Sequence, residues 1–110
     1  MLPKSKRLKT ADFKAFSGKV RRFFSPNISL AVAPNKETAG KFAVVVSKKV
    51  SGKAAERNLL KRRIFSVIRE RKIEKQGFLA VFYPKKTSLD LSYANLKEEV
   101  ISLLKEAKIG

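Results

Sequence analysis

The chain has 110 residues, of which 26 are lysine or arginine and 9 are aspartate or glutamate, giving a formal net charge of +17. This length suits a single domain, and 44% hydrophobic residues are enough to build a buried core. The sequence contains no cysteine and no histidine. Disulfides, thiolate metal sites, cysteine nucleophiles and histidine bases are therefore excluded. We expect one domain over residues 1–110 that binds a polyanionic partner.

The sequence predicts neither a membrane span nor a signal peptide at its start. No apolar run approaches the roughly 20 residues that span a bilayer. The basic residues 1–10 lack the apolar stretch of a signal peptide. We therefore expect a cytoplasmic protein that has no membrane segment and needs no obligate protein partner.

The first half of the sequence predicts a short helix followed by three strands. Residues 10–16 read as a helix and residues 20–24 as a β-prone segment. Residues 28–32 alternate as a half-buried strand that ends at a proline, and residues 35–41 read as a polar turn. The valine-rich residues 42–46 are typical of a strand buried on both faces.

From Ala54 to about Ile73 the apolar period becomes helical. One apolar stripe is formed by Leu60, Ile64, Val67 and Ile68. The opposite side of the helix carries Asn58, Arg62, Phe65 and Arg69. This pattern predicts a helix that buries one face and offers a basic one. Phe65 fits two roles equally well, a core contact between helices or an exposed stacking surface.

After this helix the sequence predicts one more strand and one more helix. Gln76-Gly77 ends the helix that starts at Ala54. Residues 78–83 then form a buried strand stopped by a proline. Ser92 caps a final helix whose stripe is Leu96, Val100, Leu103 and Leu104. The predicted order is α-β-β-β-α-β-α, an α+β fold. The strand–helix–strand unit over residues 42–83 requires a crossover, hence two neighbouring parallel strands in a mixed sheet with helices on one face.

The positive charge is concentrated in one segment. Residues 48–72 hold ten lysines and arginines against Glu56 and Glu70, whereas residues 87–110 are nearly balanced. A solvated helix surface is the plainer interpretation, but such a density of cations favours contact with nucleic-acid phosphates. The C-terminal segment then serves as scaffold.

No catalytic constellation is present. The nine acids are scattered, and the adjacent Glu98 and Glu99 read as solvated helix-surface residues. Ser51-Gly52-Lys53 lacks the spacing of a phosphate-binding loop, and no zinc or EF-hand pattern occurs. We therefore predict no catalytic residue and no metal site in this chain, so the reactive groups of any catalysis come from elsewhere.

One stretch carries a more specific signal. A strand ends in Ser47-Lys48-Lys49, a short glycine loop follows, and a helix then starts with Arg57-Asn58 and continues with Lys61-Arg62. This order of motifs resembles the protein subunit of bacterial ribonuclease P. The similarity covers nearly the whole chain. Three features depart from the family's pattern: a leucine at position 59 where arginine is usual, a loop over residues 51–56 about one residue longer, and a closer spacing of Phe13 and Phe16.

The resemblance implies a small α/β sandwich with a mixed four-stranded sheet and a left-handed β-α-β crossover. It also implies a role as the protein cofactor of a catalytic RNA that removes the 5′ leader from precursor tRNA. The partners would be that RNA and the leader of precursor tRNA. Magnesium would be held mainly by the partner RNA.

The resemblance and the charge pattern together assign two sets of residues. The expected contacts with the catalytic RNA are Lys48, Lys49, Lys53, Arg57, Asn58, Lys61, Arg62 and Arg69. The expected lining of a leader cleft is Phe13, Phe16, Phe24 and Val32. The leader should be gripped by stacking and backbone charge with little sequence preference.

Two other functions use the same composition. A general RNA-binding protein of ribosomal or RNA-chaperone type needs the charge but not the ordered motifs described above. A protein-only nuclease is disfavoured because the chain has no histidine and no clustered carboxylates for metal ions.

Overall fold

The computed structural model describes residues 20–73 and 76–109, with the side chains of residues 35–39 and 76 left out of the description. Its elements, in chain order, are β1 (Arg21–Phe24), β2 (Ile28–Ala39), β3 (Lys41–Val44), α1 (Ala54–Arg71), β4 (Gln76–Pro84), a 3-10 helix (Lys86–Asp90) and α2 (Tyr93–Glu106). The helix predicted over residues 10–16, with Phe13 and Phe16, lies outside the described residues. The 3-10 helix was not predicted.

The four strands form one mixed sheet in the order β1-β2-β4-β3. β2 pairs antiparallel with β1 and with β4, whereas β3 and β4 run parallel. α1 connects the two parallel strands, so the predicted crossover and mixed sheet are confirmed. The α+β fold class and the element order are confirmed as well, within the described part of the chain.

β2 is longer than predicted. It continues past Pro34 to Ala39, so the prediction of a turn over residues 35–41 was wrong. The register of β2 against β4 shifts between Pro34 and Ala39. Gly77 of β4 lies opposite this irregularity and has a φ of 81°, which a residue with a side chain rarely adopts. Pro34 has no N–H to donate to the hydrogen bonds between β2 and β4. The register shift beside it accommodates the proline, so β2 continues past this position.

α1 buries the predicted stripe and one residue more. Leu60, Ile64, Val67 and Ile68 all lie in the core. Phe65 is only 7% exposed and belongs to the same core cluster, which makes it a core residue and not a stacking surface. The helix ends at Arg71, because Lys72 turns left-handed with a φ of 47°, and not at Gln76-Gly77 as predicted.

α2 forms the second half of the helical layer. Ser92 caps it by accepting a 3.2 Å hydrogen bond from the Asn95 backbone N–H, and the predicted apolar stripe is buried. Two polar contacts join it to α1. The Tyr93 hydroxyl donates to Ser66 Oγ at 3.2 Å. Lys97 Nζ lies 2.9 Å from Glu70 Oε2.

The two faces of the sheet differ. The face beneath the helices carries the core residues Leu30, Val32, Phe42, Val44, Phe78, Ala80 and Phe82. At the centre of the opposite face, Ala31, Ala33, Leu79 and Val81 are buried as well. At one end of that face Phe24 is 66% exposed and Val45 is 39% exposed. The prediction that residues 42–46 are buried on both faces was therefore wrong at Val45.

Glu99 ties α2 to the turn between β1 and β2. Its Oε1 accepts hydrogen bonds from Ser25 Oγ at 2.5 Å and from the Asn27 backbone N–H at 2.9 Å. Its Oε2 accepts one from Asn27 Nδ2 at 2.7 Å. Glu98 is exposed, as expected, but the interpretation of Glu99 as a solvated surface residue was wrong. Burial alone would raise the pKa of Glu99, yet the hydrogen bonds from Ser25 and Asn27 hold this pKa below its ordinary value.

The lowered pKa of Glu99 makes this contact pH-dependent. The unfolded chain binds a proton at Glu99 more readily than the folded chain, so the stabilisation is present above the ordinary carboxyl pKa. It is lost as the pH falls through the lowered value. We expect Glu99→Gln to cost about 1 kcal/mol at neutral pH, with the difference from the unmodified chain shrinking toward pH 3. Urea unfolding of both chains between pH 7 and pH 3 measures this difference, and a constant gap would contradict it.

Candidate nucleic-acid interface

The loop before α1 is shaped by Ser51. Its hydroxyl donates to Glu56 Oε1 at 2.6 Å and accepts from the Lys53 backbone N–H at 3.1 Å. Arg57 Nη1 in turn donates to the Ser51 carbonyl oxygen at 2.9 Å. Two of these contacts, with Glu56 and Arg57, fasten the loop to the first turn of the helix, and the one with Lys53 closes the loop on itself. Sequence reasoning missed this role of Ser51 and Glu56, because they are five residues apart and do not match the serine-x-x-glutamate spacing of a capping box.

The residues predicted to contact the catalytic RNA surround this fastened loop. The exposed members are Lys48, Lys49, Lys53, Asn58, Arg62 and Arg69, and the half-buried members are Arg57 and Lys61. We call these eight residues the helix surface. Five of them lie on α1, where Arg57 and Lys61, and likewise Asn58 and Arg62, are four residues apart and share one side of the helix; Lys48, Lys49 and Lys53 lie in the loop before it. From Asn58 to Arg69 the helix surface extends about 16 Å.

The acids near the helix surface are engaged elsewhere. Glu56 accepts from Ser51, and Glu70 pairs with Lys97 of α2. The hydrogen bond and charge of Lys97 lower the pKa of Glu70, so this carboxyl stays ionised while facing the other helix. The cations of the helix surface therefore keep a strong positive potential, which attracts phosphate.

Leu59 stands in the middle of this basic region and is 42% exposed. It occupies the position at which the resemblance leads one to expect an arginine. An exposed leucine offers apolar contact where arginine would offer a planar pair of hydrogen-bond donors. This position therefore contributes no charge to the helix surface.

The two predicted cleft residues that the structure describes lie on opposite faces of the sheet. Phe24 is paired with Ser29, whereas Val32 is paired with Arg21. Residues 29 and 32 are an odd number of positions apart, so their side chains point to opposite sides. Val32 is 8% exposed in the helix-covered core, where it lines a cavity with Phe78. Val32 and Phe24 therefore cannot line the same cleft. Because Val32 is buried in the core and Phe24 is exposed, the prediction of Val32 as a cleft residue was wrong.

The register supplies other neighbours for Phe24. Ser29 pairs with Phe24 on one side and with Tyr83 on the other. Val45 continues the pairing of β3 past its end, because its N–H donates to the Phe82 carbonyl oxygen at 2.9 Å. The row Phe24, Ser29, Tyr83, Val45 crosses one end of the sheet, and we call it the sheet strip. Sequence reasoning missed Ser29 and Tyr83 because it did not fix the register.

The sheet strip and the helix surface adjoin. Parallel strands end at the same edge of a sheet, so Val45 and Tyr83 both lie where β3 and β4 end. The chain passes from Val45 directly into Lys48 and Lys49 and then into α1. One end of the domain therefore presents an aromatic and apolar row beside a dense group of cations.

The described residues offer neither a metal cluster nor a membrane span. Among residues 20–73 and 76–109, no three acidic, histidine or cysteine side chains are grouped so that they could hold a metal ion. No helix in this part of the chain is long and apolar enough to cross a membrane.

The fastening of the loop by Ser51 can be tested by one substitution. Ser51→Ala removes both hydroxyl contacts, so we expect a loss of about 0.5–1.5 kcal/mol in the free energy of unfolding. Ser47→Ala is a matched control, because Ser47 is exposed and accepts from Val50 only through its carbonyl oxygen. Urea unfolding of both variants compares them, and equal stabilities would show that the hydroxyl of Ser51 is dispensable.

Comparison with known sequences gives one consistent result. The family model described as Ribonuclease P matches residues 2–108. The "Ribonuclease P protein component" of Microcystis aeruginosa is 33% identical over 114 residues, covering 98% of this chain and 95% of the relative. The protein of the same description from Clostridium kluyveri is 34% identical over 103 residues, covering 90% of each chain.

Solved structures agree with the sequence matches. A mutant Staphylococcus aureus RNase P protein, described as defective in mRNA degradation activity, superposes with a TM-score of 0.86 at 25% identity, covering 97% of this chain and 92% of that one. The RNase P protein of Thermotoga maritima gives a TM-score of 0.78 at 25% identity, covering 91% of this chain and 96% of that one. The chain therefore belongs to the ribonuclease P protein family, the protein components of an RNA-based endoribonuclease that processes the 5′ ends of tRNA.

Proposed function

We propose that the helix surface binds the catalytic RNA of ribonuclease P and that the sheet strip holds the 5′ leader of precursor tRNA. As a ribonuclease P protein component, the chain acts in tRNA 5′ processing and associates with the ribonuclease P RNA, while the catalytic groups are not in the protein. Family membership decides against the general RNA-binding alternative. The observation that carries the proposal is the junction of a cation-rich helix start with a partly exposed row that contains Phe24 and Tyr83, at one end of the domain.

The helix surface suits a folded RNA. Arginine and lysine neutralise phosphates, and Asn58 can hydrogen-bond to a sugar or a base edge. Ser51 holds the loop against the first turn, so Lys53 and Arg57 are ordered before RNA arrives. Ordering them in advance reduces the entropy lost on binding.

The sheet strip suits an unpaired strand. Phe24 and Tyr83 offer rings on which bases of any identity can stack. The neighbouring Lys48 and Lys49 are placed to follow the backbone charge of the same strand. Leaders of different sequence can therefore be held by one site. Phe13 and Phe16 remain predicted members of this cleft, and Val32 is not proposed.

Three further assignments belong to this proposal. The chain acts as a single RNA-binding domain over residues 1–110. Magnesium is held mainly by the partner RNA, whose phosphate oxygens are the hard ligands that this ion prefers. The protein works in the cytoplasm, where precursor tRNA is available.

Charge reversal tests the helix surface. Lys61→Glu combined with Arg62→Glu should weaken binding to the catalytic RNA about tenfold or more at moderate salt, because two phosphate contacts become repulsive. If about six phosphates are neutralised, the slope of log affinity against log salt is near −4 for single-stranded contacts. The double variant should make this slope shallower by about one to two units. Filter binding over a salt series measures both quantities.

The matched control reverses the same amount of charge outside the helix surface. Lys86→Glu combined with Lys105→Glu changes two exposed lysines of the 3-10 helix and α2. We expect this control to keep most of the affinity. Equal losses in the two double variants would mean that net charge alone drives binding. Unfolding of the Lys61/Arg62 variant would show that the helix surface is needed for folding.

Cleavage tests the function directly. A bacterial ribonuclease P RNA at low magnesium should cleave precursor tRNA accurately at the 5′ end only when this protein is added. The protein supplies cations that would otherwise come from magnesium. Gel analysis of the cleavage product checks both the rate and the site. A protein that binds both RNAs but never raises the rate, even with its cognate RNA, would refute the proposal.

A further inference from the structure

The turn between β1 and β2 is held from the other layer of the domain. Glu99 of α2 accepts three hydrogen bonds from Ser25 and Asn27, which lie in this turn. The turn also has bonds of its own, from the Ser25 N–H to the Ile28 carbonyl oxygen and from the Lys85 N–H to the Asn27 carbonyl oxygen, both 2.9 Å. The hairpin can therefore form without Glu99. The Glu99 carboxylate is what connects the turn of this hairpin to the helical layer.

β1 depends on such a tie more than the other strands. It has four residues and pairs only with β2, so it is a short edge strand. Phe23 packs against the core on the helix side, but the next residue, Phe24, points to the other face and is 66% exposed. Phe24 directly precedes Ser25, whose hydroxyl Glu99 holds. A shift of the turn would move the ring of Phe24 relative to Tyr83 across the sheet strip.

We propose that Glu99 is a positioning residue for leader binding: it acts through the Ser25–Asn27 turn to hold Phe24 in the sheet strip. This inference rests on the proposed leader site. Glu99 itself lies on the helical side, and its hydrogen bonds go to Ser25 and Asn27, not to the four residues of the sheet strip. The shortest path from its hydrogen-bond partners to the sheet strip runs from Ser25 to the adjoining Phe24, and we assign its effect on leader binding to that path.

The decisive measurement is the contribution of the leader to substrate affinity. The full protein is assembled with catalytic RNA, and its affinity is measured for precursor tRNA with a leader of several nucleotides and for the same tRNA with a single-nucleotide leader. The ratio of the two affinities isolates the leader site from the rest of the complex. We expect Phe24→Ala to lower this ratio about fivefold or more, and Glu99→Ala to lower it at least about threefold.

Coupling between the two residues separates positioning from general stability. If Glu99 acts through Phe24, the double variant Glu99→Ala/Phe24→Ala lowers the ratio no further than Phe24→Ala alone. Independent effects would multiply instead. Glu99→Gln keeps an acceptor oxygen for the turn, so its ratio should lie between those of the unmodified protein and Glu99→Ala. If Glu99→Ala does not fold, Glu99→Gln takes its place in the comparison with Phe24→Ala.

Glu98→Ala is the matched control. It removes the same charge from the neighbouring residue of α2, and Glu98 is exposed and makes no contact with the turn among the described residues. Its ratio should equal that of the unmodified protein. All ratios are measured at one temperature. Urea unfolding at that temperature first establishes that each variant is fully folded in the absence of urea.

The outcomes separate the two proposals. A lowered ratio for Phe24→Ala with an unchanged ratio for Glu99→Ala would overturn the positioning role and leave the leader site standing. Multiplying effects in the double variant would also overturn it. An unchanged ratio for Phe24→Ala, in a complex that still cleaves precursor tRNA, would overturn the leader site and the positioning role together.

Discussion

The parallel pairing of β3 with β4 constrains the rest of the domain. Adjacent parallel strands cannot be joined by a tight turn, so the chain must leave the end of β3 and return along the sheet before it enters β4. α1 makes this return, and its apolar side therefore lies on the sheet. The loop and first turns of α1 are placed at the edge where β3 and β4 end. The cations of the helix surface and the row from Phe24 to Val45 consequently meet at one end of the molecule.

A chain of this charge must fold against its own repulsion. Three of its nine acids hold parts of the structure together. Glu56 helps to fasten the loop before α1, Glu70 joins the two helices, and Glu99 joins α2 to the first hairpin. Each of these carboxylates contacts a serine, an asparagine or Lys97 of α2. The cations that face the proposed RNA partner are thereby left with their charge available.

The same end of the domain depends on short polar contacts more than on the core. The apolar cluster fixes the helices on the sheet and extends to Ile28 and Val50, which adjoin the turn at Ser25 and the loop at Ser51. These two segments adjoin residues proposed to meet RNA, and in each a glutamate side chain adds to the other hydrogen bonds. Loops positioned by a rigid scaffold are where binding residues are commonly found. In this domain the scaffold reaches them through Glu56 and Glu99.

The sequence by itself determined the phase of both helices, the crossover between parallel strands, the basic segment and the family. These features follow from local periodicity, charge density and ordered motifs, which do not depend on distant contacts. Only the tertiary structure decided that Phe65 is core, that β2 continues past Pro34, and that Val32 and Phe24 face opposite ways. Burial of Phe65 depends on what packs beside the helix, and the faces of two strands depend on the register that their turn imposes. The role of Glu99 depends on a contact across 72 residues of sequence, which no local pattern contains.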